Sequence, residues 1–481
     1  MKHKKLIISL TAVLSVLLFL ATFVFVWYVC DYYPDFKEFR KEFEIPGLDE
    51  GAVPQGMGTT NVKYEVKQED GTSKSENRQF FFVSAYMTDG SPSRIYVIGE
   101  KKSDEQTSAY AGYIGYVTMK LKNADGNYVD FYGHCGGVAL NENTLWVASD
   151  RTVYVAKASE EYKSKNISRE ILEKAIISRN PVVNNEDGTT ETKDFSISFT
   201  ASFDANCNAS FLYLYDDSRY TSTTYDRLYV GEFYRKGNYE TDLSHRLVTP
   251  NGHKNNAFMY EYNISTSSDN KYGLITLDDK GLDDDNKVPE IKKIFSLPEK
   301  IQGAAFSGRE GYGTNDGMIV LSQSYGLSNS RLLCFDWKKV NESANGVLYS
   351  KLSVDGKGLG KVATEGNKDE EGIKDEDIKD NERPRGSFVY NNVYKTVGGQ
   401  KMPFTDSALR VYYVDINNED MFVSDYSVPS MSEGLCVITR PGANPAPKMR
   451  VYVLFESASK KYNKFVRERL HNVYSFIPHV K

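Results

Sequence analysis

A chain of 481 residues, 40% of them hydrophobic, is long enough for one large domain or two to three ordinary ones and apolar enough to bury a core. Aromatic residues make up 13%, with 34 Tyr and 25 Phe, and they fall in short Val/Ile/Tyr/Phe runs that favour strands over helices. The formal net charge of −6, reached although three lysines sit in the first five residues, excludes the basic footprint of a nucleic-acid binder.

The chain opens on "MKHKK", followed by an uncharged apolar run from Leu6 to Val29. A run of that length crosses a hydrocarbon core that needs about 20 residues. Trp27, Tyr28, Tyr32 and Tyr33 gather at its far end, where amphipathic rings sit at the headgroup level, and Lys2, Lys4 and Lys5 favour a cytoplasmic N-terminus. The expected layout is a cytoplasmic stub over 1–5, a transmembrane signal anchor over 6–29, a stalk over 30–44 and an extracytoplasmic domain over 45–481. A cleaved signal peptide competes, but its apolar region is shorter and ends at small residues, which "WYVCD" lacks. A lipoprotein signal ending at Cys30 meets the same objection from Tyr28 and Val29.

From residue 45 onward one layout recurs. A polar residue beside a glycine or another small residue opens a strand at Gln55-Gly56 in "VPQGMG", Gly136-Gly137 in "GHCGGVAL", Gln302-Gly303 in "IQGAAFS" and Glu433-Gly434 in "MSEGLCVI". Asn208-Ala209 in "NCNASFLYLY" fits more loosely. A second strand follows each, in "FFFVSAY", "LWVAS", "RLYVGEF", "MIVLSQS" and "VYVLFES". Third strands read as "SRIYVI", "TVYVA", "AFMYEYNI", "SRLLCF" and "VYSFI", and fourth strands show in "GYIGYVTMKL" and "YGLITL".

Four-stranded antiparallel units repeated five times predict an all-β protein, a five-bladed β-propeller. Six blades is the alternative, with "ALRVYYVDI" (408–416) in the extra one. A β-sandwich also supplies many short strands but not the repeated polar-Gly start. Intervals between motifs of 72 to 131 residues exceed compact blades, so insertions fill the excess. A short helix fits 159–179, and the charged run at about 365–385 reads as a solvated loop. Neither that run nor "LDDKGLDDDNK" has EF-hand spacing. Cys135, Cys207, Cys334 and Cys436 lack CxxC spacing and read as buried thiols, with disulfide pairing the alternative in an oxidising compartment.

In a propeller the start of each inner strand and the end of each second strand share one face. The expected ligand-binding residues are therefore Gln55, His134, Asn208, Gln302 and Glu433 from the first set and Glu232, Gln323 and Glu456 from the second, with Tyr234, Arg235, Tyr325 and Lys460 beyond them. Hydroxyls and amides of "SQSYGLSNS" (322–330) are expected to line the same mouth. Glu232, Glu433 and Glu456 make a possible oxygen set for Ca²⁺. His134 reads as a general base, a metal ligand or a satisfied core histidine, and no Ser/His/Asp arrangement or nucleophile elbow is legible.

"NCNASF", "VGEFYR", "LSQSYGLSNS", "MSEGL" and "VLFESASKKY" together resemble a group of uncharacterised, membrane-anchored or secreted β-propeller proteins of low-GC Gram-positive bacteria. The resemblance implies a propeller outside the membrane and brings no activity with it. More remotely, the QG and EG strand starts are similar to those of lactonase, strictosidine-synthase and phytase-like propellers, some of which hold Ca²⁺ in the channel. Two functions follow as expectations: a cell-surface module binding a glycan, wall polymer or protein at one mouth of its channel, or a Ca²⁺-dependent hydrolase of lactonase, esterase or phosphatase type. The first is preferred because no complete catalytic constellation is legible.

Overall fold

The computed structural model describes residues 13–22 and 33–479, apart from 101–111, 216–225, 277–287, 308–316, 354–386, 404–408, 439–449 and short stretches at 68–70, 186–188, 206, 243–244, 344–347, 392–393 and 398–399. Five antiparallel four-stranded units make up the body. From the inside outward, blade I is Ala52–Lys67, Ser73–Met87, Arg94–Gly99 and Gly112–Lys122. Blade II is Gly137–Leu140, Leu145–Ser149, Thr152–Ala156 and Ala201–Asp204, and blade III is Ala209–Tyr215, Arg227–Glu232, Ala257–Asn263 and Ile291–Leu297. Blade IV is Ile301–Ser307, Met318–Gln323, Ser330–Asp336 and Phe422–Val428. Blade V is Ser432–Val437, Val451–Phe455, Asn472–Phe476 and, from the other end of the chain, Arg40–Glu44.

The five innermost strands pack side by side in a closed ring, I on II through V and back on I. Each blade is therefore covered on both faces, which is why "LWVAS" and "VYVLF" are buried at every position and read as continuous apolar runs rather than alternating ones. Five apolar clusters fill the five gaps. Phe82 and Val97 meet Val147 between I and II, Trp146 meets Tyr260 between II and III, and Phe295 meets Phe306 and Trp337 between III and IV. Leu332 meets Val453 between IV and V, and Leu454 meets Phe81 between V and I.

Three expectations change. "ALRVYYVDI" founds no sixth blade: Leu409–Tyr413 lies parallel to the outer strand of blade III and extends that sheet. "YGLITL" makes only isolated bridges, and Ile291–Leu297 is the fourth strand instead. Within the expected stalk, residues 40–44 pair with Asn472–Phe476 and complete blade V, so the propeller starts before residue 45. The helix expected in 159–179 is Ile167–Ile177, started by Asn166, whose side-chain oxygen accepts from the Arg169 N–H at 2.9 Å. Cys135, Cys207, Cys334 and Cys436 are buried free thiols. The charged insertion at 365–385 and most of the expected anchor lie outside the described residues. Of the anchor, residues 13–22 are described and helical. Among the described residues no helix is long and apolar enough to cross a membrane.

Candidate functional site

The polar-Gly starts have two separable jobs, and the backbone shows both. At Gln55-Gly56, Gln302, Glu433-Gly434 and Ser210 the pairing between first and second strand slips by a bulge, so one side chain leaves the ladder. A bulge bends its strand and re-aims a side chain, here toward the channel. The neighbouring glycines let the inner strands touch. A Cβ on Gly56 would stand 2.8 Å from Gly137 Cα, one on Gly303 2.7 Å from the Glu433 carbonyl and one on Gly434 2.5 Å from Met57 N. Blades I, II, IV and V enter the inner strand through a left-handed residue, Gly51, Cys135, Lys300 or Met431. Three of those four are not glycine, a strained choice for L-residues that clusters here at the mouth. The freed carbonyls find partners at the ends of second strands, Lys300 O accepting from Ser324 N at 2.9 Å and Met431 O from Glu456 N at 3.1 Å.

The mouth opens on a cavity of about 410 Å³ walled by all five blades. Gln55, His134, Asn208, Gln302, Tyr325, Glu433 and Glu456, seven of the expected residues, line it. At its floor lie two buried carboxyls, Glu433 and Glu456, each of which perturbs the ionisation of the other. Gln55 Nε2 donates to Glu456 Oε2 at 2.9 Å and Gln302 Nε2 to Glu433 Oε1 at 3.4 Å, so an amide from each neighbouring blade holds the pair. Burial and the charge of Glu456 push the Glu433 carboxyl well above the usual range, and burial raises Glu456 to about 7 despite the opposing pull of Gln55 and Lys461. The two carboxyls therefore titrate as a coupled pair rather than as independent groups.

His134 stacks on Tyr86 with ring centroids 4.7 Å apart. Crowding around its ring and the Lys461 ammonium lower its pKa, so it is neutral at neutral pH. Lys461 Nζ donates to Tyr86 Oη at 2.7 Å. On the opposite rim Arg235 Nη1 donates to Tyr325 Oη at 2.6 Å and its guanidinium lies 3.9 Å from the Tyr325 ring centroid. That ring therefore has one face covered. Tyr239, which lines the cavity and is 53% exposed, is braced edge-on by Phe233 at 5.5 Å and offers the freer ring.

Other expected residues do not reach the cavity. Tyr234 is buried in the apolar layer between blades III and IV, Gln323 donates to the Glu299 carbonyl at 2.9 Å, and Lys460 is exposed on the surface. Glu232 is engaged elsewhere, its Oε1 accepting from Phe258 N at 2.8 Å and contacting His245 Nδ1 at 2.7 Å. The three expected calcium carboxylates are not brought together, since Glu232 contacts His245 while Glu433 and Glu456 line the cavity. Among the described residues no group of three His, Cys, Asp or Glu side chains suits a metal ion. The hydroxyls of 322–330 also divide. Ser322 bonds Ser432 Oγ at 2.7 Å and Ser330 accepts from Ser432 N at 3.1 Å, stitching blade IV to blade V, and only Ser324, Tyr325 and Gly326 face the cavity. Sequence reasoning missed Asp150, Tyr239 and Tyr462; the two tyrosines occupy loops that follow second strands, the same position as Tyr325.

No family model matches the chain, and no curated protein does. Among solved structures, one similar chain is described as the structure of the Dos1 propeller, at 8% identity and a TM-score of 0.21. The match covers 61% of this chain and 64% of that one. The propeller assignment rests on the strand order and the closed ring.

Proposed function

We propose that this chain is a membrane-anchored, cell-surface propeller that captures a polar extracellular ligand, a glycan, wall polymer or surface protein, at the mouth of its channel. The observation that carries the reading is the repeated bulge, which turns Gln55, Gln302 and Glu433 out of three separate ladders toward one cavity. A bulge disrupts pairing, and three at one place supply donors and acceptors where a ligand enters. Tyr239 adds an exposed ring beside them. The surface location rests on the lysines before the uncharged run 6–29.

The test is retention of the full-length chain, solubilised in mild detergent, on isolated envelopes of the producing cell. Retention should fall at least tenfold in Gln302→Ala and Tyr239→Ala. Wild-type protein that washes through would end the reading. Topology has its own check: protease added to intact protoplasts should digest everything beyond residue 32, and a protected chain would reverse the orientation.

A further inference from the structure

The floor of the cavity is rich in acceptors and poor in donors. Gln55, only 5% exposed, spends both amide hydrogens, on the Pro54 carbonyl and on Glu456 Oε2, each at 2.9 Å. Its carbonyl oxygen receives no hydrogen bond among the described residues. Three carboxyls line the cavity, Asp150, Glu433 and Glu456, and no lysine or arginine does. None of the three makes an ion pair among the described residues. Two cations of the rim are engaged elsewhere, Lys461 on Tyr86 Oη at 2.7 Å and Arg235 on Tyr325 Oη at 2.6 Å. Buried carboxyls that lack a counter-ion resist ionisation, and burial holds Glu433 and Glu456 above the usual carboxylate range. The walls add four rings, Phe233, Tyr239, Tyr325 and Tyr462. Ring faces attract cations, and two of these tyrosines already do so toward the rim, with the Arg235 guanidinium 3.9 Å from the Tyr325 centroid and Lys461 Nζ 4.9 Å from that of Tyr462. Carboxyls without counter-ions, an acceptor without a donor and exposed aromatic surface all ask for the same thing, a cation that donates hydrogen bonds.

We propose that the cavity takes the primary ammonium group of an amine-bearing ligand, with its N–H donors on the Gln55 carbonyl oxygen and the carboxyls of Glu433 and Glu456 and its carbon skeleton against the Tyr239 ring. This names the chemistry of the captured ligand and rests on the mouth being its site. A primary ammonium brings three donors and no acceptor, which suits a floor of acceptors, and it supplies the counter-charge that the buried carboxyls lack. A quaternary ammonium would satisfy the rings and leave the Gln55 oxygen without a donor. A carboxylate or phosphate ligand would meet like charge. A metal ion finds too few ligands, since among the described residues no three His, Cys, Asp or Glu side chains converge.

The experiment titrates the full-length chain in mild detergent, at low salt and about pH 7.5, where alkylamines are protonated. Two scaffolds carry the amine: methyl glucosaminide, paired with its N-acetyl twin, and Nα-acetyl-lysine methylamide, paired with its Nε-acetyl and Nε-trimethyl forms. On at least one scaffold the free amine should bind at least tenfold more tightly than its acetylated twin, and the scaffold that binds identifies the carrier as a basic sugar or a lysine side chain. The Glu433→Gln/Glu456→Gln double variant should lose that preference, because a buried charge pair is broken. Should that variant fail to fold, Asp150→Asn gives a milder reading: Asp150 is exposed in a left-handed conformation that Asn tolerates, and its loss should weaken the amine about threefold. An acetylated twin bound as tightly as its amine overturns the proposal, and so does a preference for the trimethyl form or an amine affinity untouched by both variants. Envelope retention with no amine bound also overturns it while sparing the capture reading; failure of both removes the two together.

Discussion

Glu433 and Glu456 show how the meaning of a side chain is set by what surrounds it. An ordinary glutamate ionises near pH 4.3, and in the folded protein both are held above that, Glu456 at about 7. The folded state thus binds more protons than the unfolded chain between those values, and stability falls as pH rises through the window from about 4.5 to 7. The contribution is fully favourable below the unfolded pKa and is lost above the folded one. Glu433→Gln keeps a donor toward Glu456 and an acceptor toward Gln302 Nε2 while removing one ionisation. Its melting temperature should match wild type at pH 4.5 and exceed it by a few degrees at pH 8. Equal curves at both pH values would mean that the pair does not titrate as a coupled unit. Calcium belongs to the same question: with Glu232 held by His245 away from the cavity that Glu433 and Glu456 line, millimolar CaCl₂ should leave the melting temperature unchanged, and a rise of several degrees would show that the carboxylates rearrange around a cation.

At the scale of the strand, the polar-Gly dipeptide was legible because it repeats, and its bulge was not, because a bulge depends on which residue across the ladder is skipped. Gln55 and Gly56 together stand opposite the one residue Ser84, and only the pairing reveals that Gln55 leaves the ladder. The same limit explains Glu232: it ends a second strand as Glu456 does, yet His245, distant from it in sequence by a loop of unremarkable composition, captures it. Tyr234 lies just past the strand Arg227–Glu232, where alternation no longer sets direction: Phe233 lines the cavity and Tyr234 is buried in the apolar cluster. The number of blades was read correctly from the inner strands, whereas outer strands were left unread where they arrive late in the chain: Phe422–Val428 reaches blade IV only after the long insertion. The glycines permit a direct test of the ring. A methyl group on Gly434 would sit 2.5 Å from Met57 N and 3.0 Å from the Gln55 carbonyl, backbone atoms that cannot swing away. Gly434→Ala should cost about 1–3 kcal/mol by overpacking, read as a lower urea midpoint at unchanged slope. An unaltered midpoint would mean that blades I and V stand farther apart than they do here.

At the scale of the whole molecule, the ring is closed by a strand from the far end of the sequence. Arg40–Glu44 is the outer edge of blade V, and the residues before it dock as well: Phe39 stacks on Phe476 at 4.6 Å, Phe36 packs on Tyr474 at 4.8 Å, and Asp35 accepts from Ser427 N of blade IV at 3.3 Å. The segment read from sequence as a stalk is therefore part of the body, so any anchor at 6–29 is joined to the propeller through only residues 30–34, which reach at most about 17 Å when extended. A free edge on blade V would expose the ladder groups of Asn472–Phe476 and the apolar faces of Tyr426 and Phe476 that Phe39 covers, each ring worth about 1.5–3 kcal/mol of burial. Two truncations separate anchor from closure. A chain starting at residue 33 should unfold with the denaturant midpoint of the intact protein. A chain starting at residue 46 should lose several kcal/mol and elute with oligomers, because an unpaired edge next to an apolar face recruits a neighbour. If the shorter chain keeps both its midpoint and its monomeric elution, the N-terminal strand decorates the ring rather than closing it, and residues 33–44 return to being a stalk.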